Sequence, residues 1–283
     1  MTEAEVVFLG TGGGRFATIT QKRRTGGIRI LTSNLNLHLD PGPGALIYSL
    51  EAGLNPQKIR AILVSHRHPD HYTNAEILIE AMTQGMLNKR GIVAAPSNIL
   101  SGNKEAGPVI STYHQKMVKK TIEVKPGVSF KVNNTDIVAT ETKHSDSEAV
   151  GYRFEIPEVG GIGYTADTEY FEGIEEGYRG VRLFIICVMR PVGSPWAGHM
   201  TPIDAAKIVK AIKPELVVTT HFGVKMLFSG PNREVKLIEE QTGIPTIAAF
   251  DGMHLRFSDQ IMVGKIGRNQ QGLDEFVKRN EHD

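Results

Sequence analysis

VSHRHPDHY, Val64 to Tyr72, decides how this chain is read. The six positions from His66 to His71 hold three histidines and an aspartate, in a sequence of 283 residues with only 10 histidines. The run AILVS (61–65) before it is short, apolar and partly β-branched. That pattern predicts a buried strand, so His66 leaves the end of a sheet. Pro69 biases His68 toward an extended backbone, where residues i and i+2 point the same way. His66 and His68 can therefore aim two imidazoles at one point. Asp70 and His71, at the mouth of the next helix, can aim at a second point nearby. Imidazole and carboxylate together suit zinc, manganese or iron.

Further ligands have to come from elsewhere, and three candidates each follow an apolar strand pattern. His144 follows DIVATETK, Asp167 follows GIGYTA, and His221 follows LVVTT. If those strands stack in two layers, all three residues can meet the cluster at one edge. Five histidines and two aspartates suffice for two metals that share a carboxylate and a water. Other histidines read as surface or core residues. His38 alternates with Asn36 and is expected on the polar face of its strand.

The rest of the chain has the composition of an ordinary globular protein. Hydrophobic residues make up 40% and charged residues 22%, with a net charge of +1, which gives no support for a broadly nucleic-acid-coating or membrane-seeking surface. The single cysteine, Cys187, lies in the apolar run LFIICVM. It excludes a disulfide framework and points to a reducing compartment. With no signal peptide or membrane-span pattern visible, a cytoplasmic protein is expected. Short apolar strands are predicted at 6–10, 28–31, 35–39, 61–65, around 92–95, across 121–140, and in AVGYRFEI, GIGYT, LFIICVM and LVVTT, with PTIAAF and HLRF as a closing pair. Helices are expected over 73–87, where Thr73 and Glu76 have capping-box spacing, at TPIDAAKIVKAI, and near REVKLIEEQT. Residues 101–120 read as an irregular loop and a lid candidate. No linker is evident, so 1–283 reads as one α/β domain of two face-to-face sheets with helices outside.

His66-Arg-His68-Pro-Asp70-His71 resembles the HxHxDH signature of the metallo-β-lactamase superfamily. The later order agrees: His144, then Asp167 in GYTADT, then His221 in TTHF. The resemblance runs from VVFLGTGGG to AAFDGMHLRF, nearly the whole chain. It implies an αββα sandwich with a dinuclear site. His66, His68 and His144 would hold one metal, Asp70, His71 and His221 the other, and Asp167 would bridge them. Two divalent ions are implied, zinc first, with manganese or iron as alternatives. Within the superfamily, GHMTPIDAA (198–206) is similar to the GHST…A segment of the tRNA 3′-processing endonucleases (tRNase Z) and related phosphodiesterases. There the histidine matching His199 assists the leaving group. As a plain helix start the segment explains Thr201 as N-cap and Pro202 in the first turn but leaves His199 without a purpose.

Two departures stand against tRNA maturation itself. The endonucleases carry a HEAT-like segment whose glutamate partners the catalytic histidine, and here that strand runs ICVMRP. They also insert a tRNA-gripping arm between the third histidine and the bridging aspartate, whereas here only 23 positions separate His144 from Asp167. The expected activity is therefore that of an arm-less phosphodiesterase acting on a small diester or an RNA end. Asp70 would orient the water activated between the metals, and His199 would act, as imidazolium, on the leaving group. A homodimer would follow by analogy alone. The rivals are a thioester or lactone hydrolase, an iron-dependent oxidoreductase, and a non-catalytic protein that keeps the fold. Several roles stay open. GTGGG (10–14) offers amides to a phosphate or simply turns. Lys22, Arg23 and Arg24 attract an anion or form a solvated loop. Tyr113, His114 and Lys116 cover the site or do not. Asp40 orients a ligand histidine or closes a turn.

Overall fold

The computed structural model describes residues 3–104, 106–265 and 271–272. Two sheets form along the chain. The first takes β1 (Ala4–Phe8), β2 (Ile28–Leu31), β3 (Asn36–Leu39), β4 (Ala61–Leu63), β5 (Ile92–Ala95) and β6 (Lys120–Glu123). The second takes β7 (Ser129–Val132), β8 (Thr135–Glu141), β9 (Val150–Ile156), β10 (Gly160–Tyr164), β11 (Val181–Cys187), β12 (Leu216–Thr220) and β13 (Thr246–Ala248). The chain then returns to the first sheet with β14 (Met253–Phe257), β15 (Ile261–Lys265) and β16 (Gln271–Gly272), and β14 pairs with β1. Nine helices lie among the described residues: α1 (Arg15–Thr20), α2 (Ala45–Glu51), α3 (Pro69–Tyr72), α4 (Ala75–Met82), α5 (Ser97–Leu100), α6 (Thr112–Met117), α7 (Pro202–Ile212), α8 (Val224–Ser229) and α9 (Pro231–Thr242).

Side-chain alternation along the strands sorts the core into layers. On β11, Leu183, Ile185 and Cys187 face the other sheet, while Phe184 and Ile186 face helices. On β4, Ala61 and Leu63 face inward and Ile62 packs under the helices. Both faces of these strands are buried, which is why they read as unbroken apolar runs. α7 and α9 cover the second sheet through Ile208, Val209 and Ile238; α2 and α4 cover the first through Ala45, Leu78, Ile79 and Met82. The result is the expected αββα sandwich. The Tyr152 hydroxyl ties the sheets together by donating to the Val64 carbonyl at 2.9 Å.

Several local expectations change. The capping box at Thr73 does not form. A short helix, α3, comes first; α4 starts after Asn74 without a side-chain cap, and Glu76 instead accepts from the Ser111 amide at 2.7 Å. Residues 101–120 are not wholly irregular, because Ser111 caps α6 by accepting from the His114 amide. The strands around the PG turn separate: β6 ends the first sheet, and β7 begins the second. PTIAAF and HLRF likewise belong to different sheets. His38 is not on a polar face. It is fully buried beside Arg29, and its Nε2 donates to the Gly26 carbonyl at 2.8 Å. Burial, with the Arg29 charge beside it, pushes its pKa down to about 3.

Candidate metal centre

The strand directions bring the site together. β3 and β4 are parallel, and β1 shares their direction through two antiparallel steps. β8, β10 and β12 likewise share a direction. His66, Asp40, His144, Asp167 and His221 each follow the C-terminal end of one of these strands. Among the residues at this edge, Asp40, Ala166 and His221 hold left-handed backbone angles, φ 50, 53 and 61. Non-glycine residues rarely adopt these angles, and such strain gathers where surrounding structure enforces a functional geometry.

The predicted residues fall into two groups able to hold a cation: His66, His68, His144 and Asp167, and then Asp70, His71 and His221. In the first, His68 Nδ1 lies 3.0 Å from His66 Nε2 and 3.1 Å from His144 Nε2. Asp167 Oδ2 stands 3.9 Å from both of those Nε2 atoms. In the second, His71 Nε2 and His221 Nε2 are 3.1 Å apart, and Asp70 Oδ2 is 3.3 Å from the latter. Asp167 Oδ2 also comes within 3.8 Å of His71 Nε2, so one carboxylate faces both groups.

The surrounding hydrogen bonds assign the protons. Asp40 accepts from the Ser65 amide and hydroxyl at 2.7 Å each, from the Tyr164 hydroxyl at 2.7 Å and from His71 Nδ1 at 2.8 Å. Because the Ser65 hydroxyl hydrogen goes to Asp40, its oxygen accepts from His66 Nδ1 at 2.9 Å. His144 Nδ1 donates to the Gly198 carbonyl at 2.9 Å. In its neutral form each of the three rings is thereby left with a bare Nε2 aimed into the centre. His68 Nδ1 can carry a hydrogen to only one of the two bare Nε2 atoms beside it, so at least one pair of lone pairs at about 3 Å repels unless a cation lies between them, and the donor set fits divalent metal ions.

Electrostatics agree. Burial and the neighbouring imidazoles hold His66 well below its usual pKa, and burial with His144 lowers His68, which keeps both rings neutral. Burial alone would raise Asp70 and Asp167, but His71 and His221 outweigh it and keep both carboxyls low. At His71 the carboxylates of Asp70, Asp40 and Asp167 overcome burial and push the pKa up to about 10, so its Nε2 holds a proton that a bound cation would displace. That half of the centre attracts positive charge.

His199 stands at the rim, about one-eighth exposed, with Nδ1 3.7 Å from Asp167 Oδ2 and its ring 5.0 Å from that of His144. Burial pushes its pKa down to about 4, a direction that favours the neutral imidazole. The glycine loop turns out to serve the protein. The amides of Gly10, Gly12 and Gly13 go to Gly27, Arg24 and Phe222 carbonyls, and that of Gly14 goes to Asp70 Oδ2 at 2.8 Å. A Cβ on Gly13 would sit 2.1 Å from the His221 ring, so only glycine allows this approach. Arg24 pairs with Glu51. His114 is held by Glu76 and Glu80 of α4, which pins α6 against that helix.

The sequence reading missed the supporting groups. Ser65 and Tyr164 hold Asp40, which in turn holds the His71 ring. Glu169 accepts from the Gly198 amide at 2.8 Å and pairs with Lys143, linking the His144 and His199 loops. Cys187, expected simply as a buried strand residue, is buried and lies against Asp167 and His221; burial raises its thiol pKa well above normal.

A family model described as the beta-lactamase superfamily domain matches residues 35–222, which contain every residue of both groups. The chain belongs to the metallo-β-lactamase superfamily. It is 42% identical over 251 residues to an uncharacterized protein of Methanocaldococcus jannaschii, covering 88% of this chain and 93% of that one. It is 31% identical over 151 residues to ribonuclease Z of Pyrococcus abyssi, covering 53% of this chain and 47% of that one. The match thus spans about half of the ribonuclease. The fold is similar to that of the metallo-beta-lactamase fold protein YhfI from Bacillus subtilis, with a TM-score of 0.73 and 18% identity over 90% of this chain and 100% of that one. Superfamily membership and the His/Asp cluster together indicate a metal-dependent hydrolase. No described helix is long and apolar enough to cross a membrane.

Proposed function

We propose that this hydrolase is a phosphodiesterase. The observation that carries the reading is His199, an imidazole at the rim of a centre whose two groups are already complete without it. The partial identity to a ribonuclease Z supports it. In this reading His66, His68 and His144 hold one divalent ion, zinc first, Asp70, His71 and His221 hold a second, and Asp167 serves both. Ions held there supply Lewis acidity, lowering the pKa of water and offsetting charge on phosphoryl oxygens.

The chain's own residues do the rest. Asp40 and Ser65 fix the tautomers of His71 and His66. The Gly14 amide fixes one oxygen of Asp70, so that this carboxylate can orient the attacking water. Glu169 holds the Gly198 backbone and so presents His199. With its ring neutral, His199 donates a hydrogen bond to the leaving oxygen, where charge grows as the bond breaks.

The test is turnover of a chromogenic phosphodiester by protein reconstituted separately with zinc and with manganese. Asp167→Ala should abolish it. His199→Ala should lower kcat by about 100-fold or more while leaving metal content unchanged. Metal loss in proportion to activity in His199→Ala would move His199 to a ligand role. No turnover with two ions bound would favour a thioester or lactone hydrolase.

A further inference from the structure

The metal cleft opens onto three segments, each continuous with a site residue. α1 begins directly after Gly14, whose amide is on Asp70. α8 begins three residues past His221. The loop 189–200 contains His199. These segments touch one another. Lys22 Nζ lies 4.4 Å from the Phe228 ring centroid, and Lys225 Nζ donates to Ser194 Oγ at 3.2 Å. Met189 packs so closely on Gly14 and Gly223 that a Cβ on either would lie within 2.9 Å of it.

This rim exposes three aromatic rings: Phe16 at 71%, Trp196 at 63% and Phe228 at 74%. Exposed aromatic rings gathered on neighbouring segments around one cleft point to a binding surface. The rim is also one-sided in charge. Residues 11–27, 188–200 and 221–230 contain no Asp or Glu, yet they hold Arg15, Lys22, Arg23, Arg24, Arg190 and Lys225, in a chain whose net charge is only +1. Three of the cations lie over aromatic rings, Lys22 on Phe228, Arg24 on Tyr48 and Arg190 on Trp196. Acids that approach from other elements are engaged. Asp251 accepts from the Thr11 and Arg24 amides, Glu234 from the Val192 amide and Ser229, and Glu51 pairs with Arg24.

We propose that this rim binds an unpaired nucleic-acid strand, with bases stacked on Phe16, Trp196 and Phe228 and phosphates facing Arg15, Lys22, Arg190 and Lys225. The inference deepens the phosphodiesterase reading and rests on it for what the centre does with the strand. A small non-nucleotide diester would use neither stacked rings nor a row of cations. A strand uses both, because every base has a π face and every linkage a negative charge.

Trp196 is the only tryptophan in the sequence, so selectively excited tryptophan fluorescence reports on the rim. The full chain is titrated with a cleavage-resistant single strand, a 2′-O-methyl phosphorothioate of about twelve nucleotides, long enough to cross a rim of this kind. A duplex and an abasic polymer of equal length run alongside. The single strand should quench Trp196 saturably and bind more tightly than either control. Phe16→Ala and Phe228→Ala should each weaken binding about tenfold, and added salt should weaken it steeply. Equal binding of all three polymers overturns stacking, and absence of binding overturns the proposal. Light scattering covers the other occupant: a dimer split by Phe16→Asp and Phe228→Asp, with no strand binding, assigns the rim to a second copy of the chain. Diester turnover without strand binding sinks this inference and leaves the phosphodiesterase standing. Strand binding without any diester turnover does the reverse.

Discussion

At the scale of single residues, the centre depends most on a side chain that touches no candidate ion. Asp40 accepts four hydrogen bonds, from Ser65 twice, Tyr164 and His71. An asparagine there would turn an NH2 group toward at least one of those donors. In its neutral form His71 would then lose the bond that keeps its Nε2 bare, and Ser65 would no longer be locked to receive His66. Asp40→Asn is therefore expected to weaken metal binding by about 10- to 100-fold, the usual cost of removing such a partner. Competition against a chromogenic chelator measures it, and an unchanged affinity would return Asp40 to a simple turn residue. The sequence left both readings open because nothing local distinguishes them: the partners lie 25, 31 and 124 positions away. The grouping of the candidate ligands was legible, because chemistry restricts metal-binding side chains to a few types and strand ends restrict where they fall. His38 was misread for the complementary reason. Alternation says which residues share a face, but not that helices cover that face as well.

At the scale of elements, legibility followed burial. Strands buried on both faces, such as β4, β11 and β12, announce themselves as apolar runs, and α7 and α9 as amphipathic stripes. The short helices α1, α2 and α8 were not anticipated, since six or seven residues carry too little periodicity. The helix start at 73 failed for a different reason: Glu76 has a partner from a distant segment, the Ser111 amide, and a distant partner outranks a local cap. Where no such competitor exists, the cap forms. Thr201 Oγ1 accepts from the Asp204 amide while Asp204 reaches back to Thr201, a complete capping box with Pro202 in the first turn. The cap of this box, Thr201, lies two residues after His199, so it also fixes the exit of the rim loop. Thr201→Ala should destabilise the fold by about 1 kcal/mol and lower kcat more than it raises KM, because His199 is displaced while the ligand groups stay in place. Denaturant midpoints and steady-state kinetics on one preparation read both. A stability loss with kcat intact would separate the cap from the chemistry.

At the scale of the whole molecule, the centre is a seam between the sheets. His66, Asp70 and His71 come from the first sheet, and His144, Asp167 and His221 from the second. Protein bonds already cross there: the Val150 amide to the Ser65 carbonyl at 3.0 Å, and the Tyr164 hydroxyl to Asp40 at 2.7 Å. Ions shared by both sides would add links that exist only in the folded chain, because the unfolded chain cannot gather ligands from both ends of its sequence. Binding to the folded state alone raises stability by RT ln(1 + [L]/Kd), or about 2.7 kcal/mol when free ligand is 100 times Kd. Thermal unfolding of chelator-treated protein should therefore begin several degrees lower and recover as zinc is added back, with Tm climbing in proportion to the logarithm of free zinc. The seam makes a sharper demand. His71→Ala on the first sheet and His221→Ala on the second should shrink that zinc-dependent rise to a similar extent, since each removes one side of the same link. A rise undiminished by loss of either histidine would mean that this group adds no link between the sheets, leaving His66 and His68 with His144 and Asp167 as the only group that joins them.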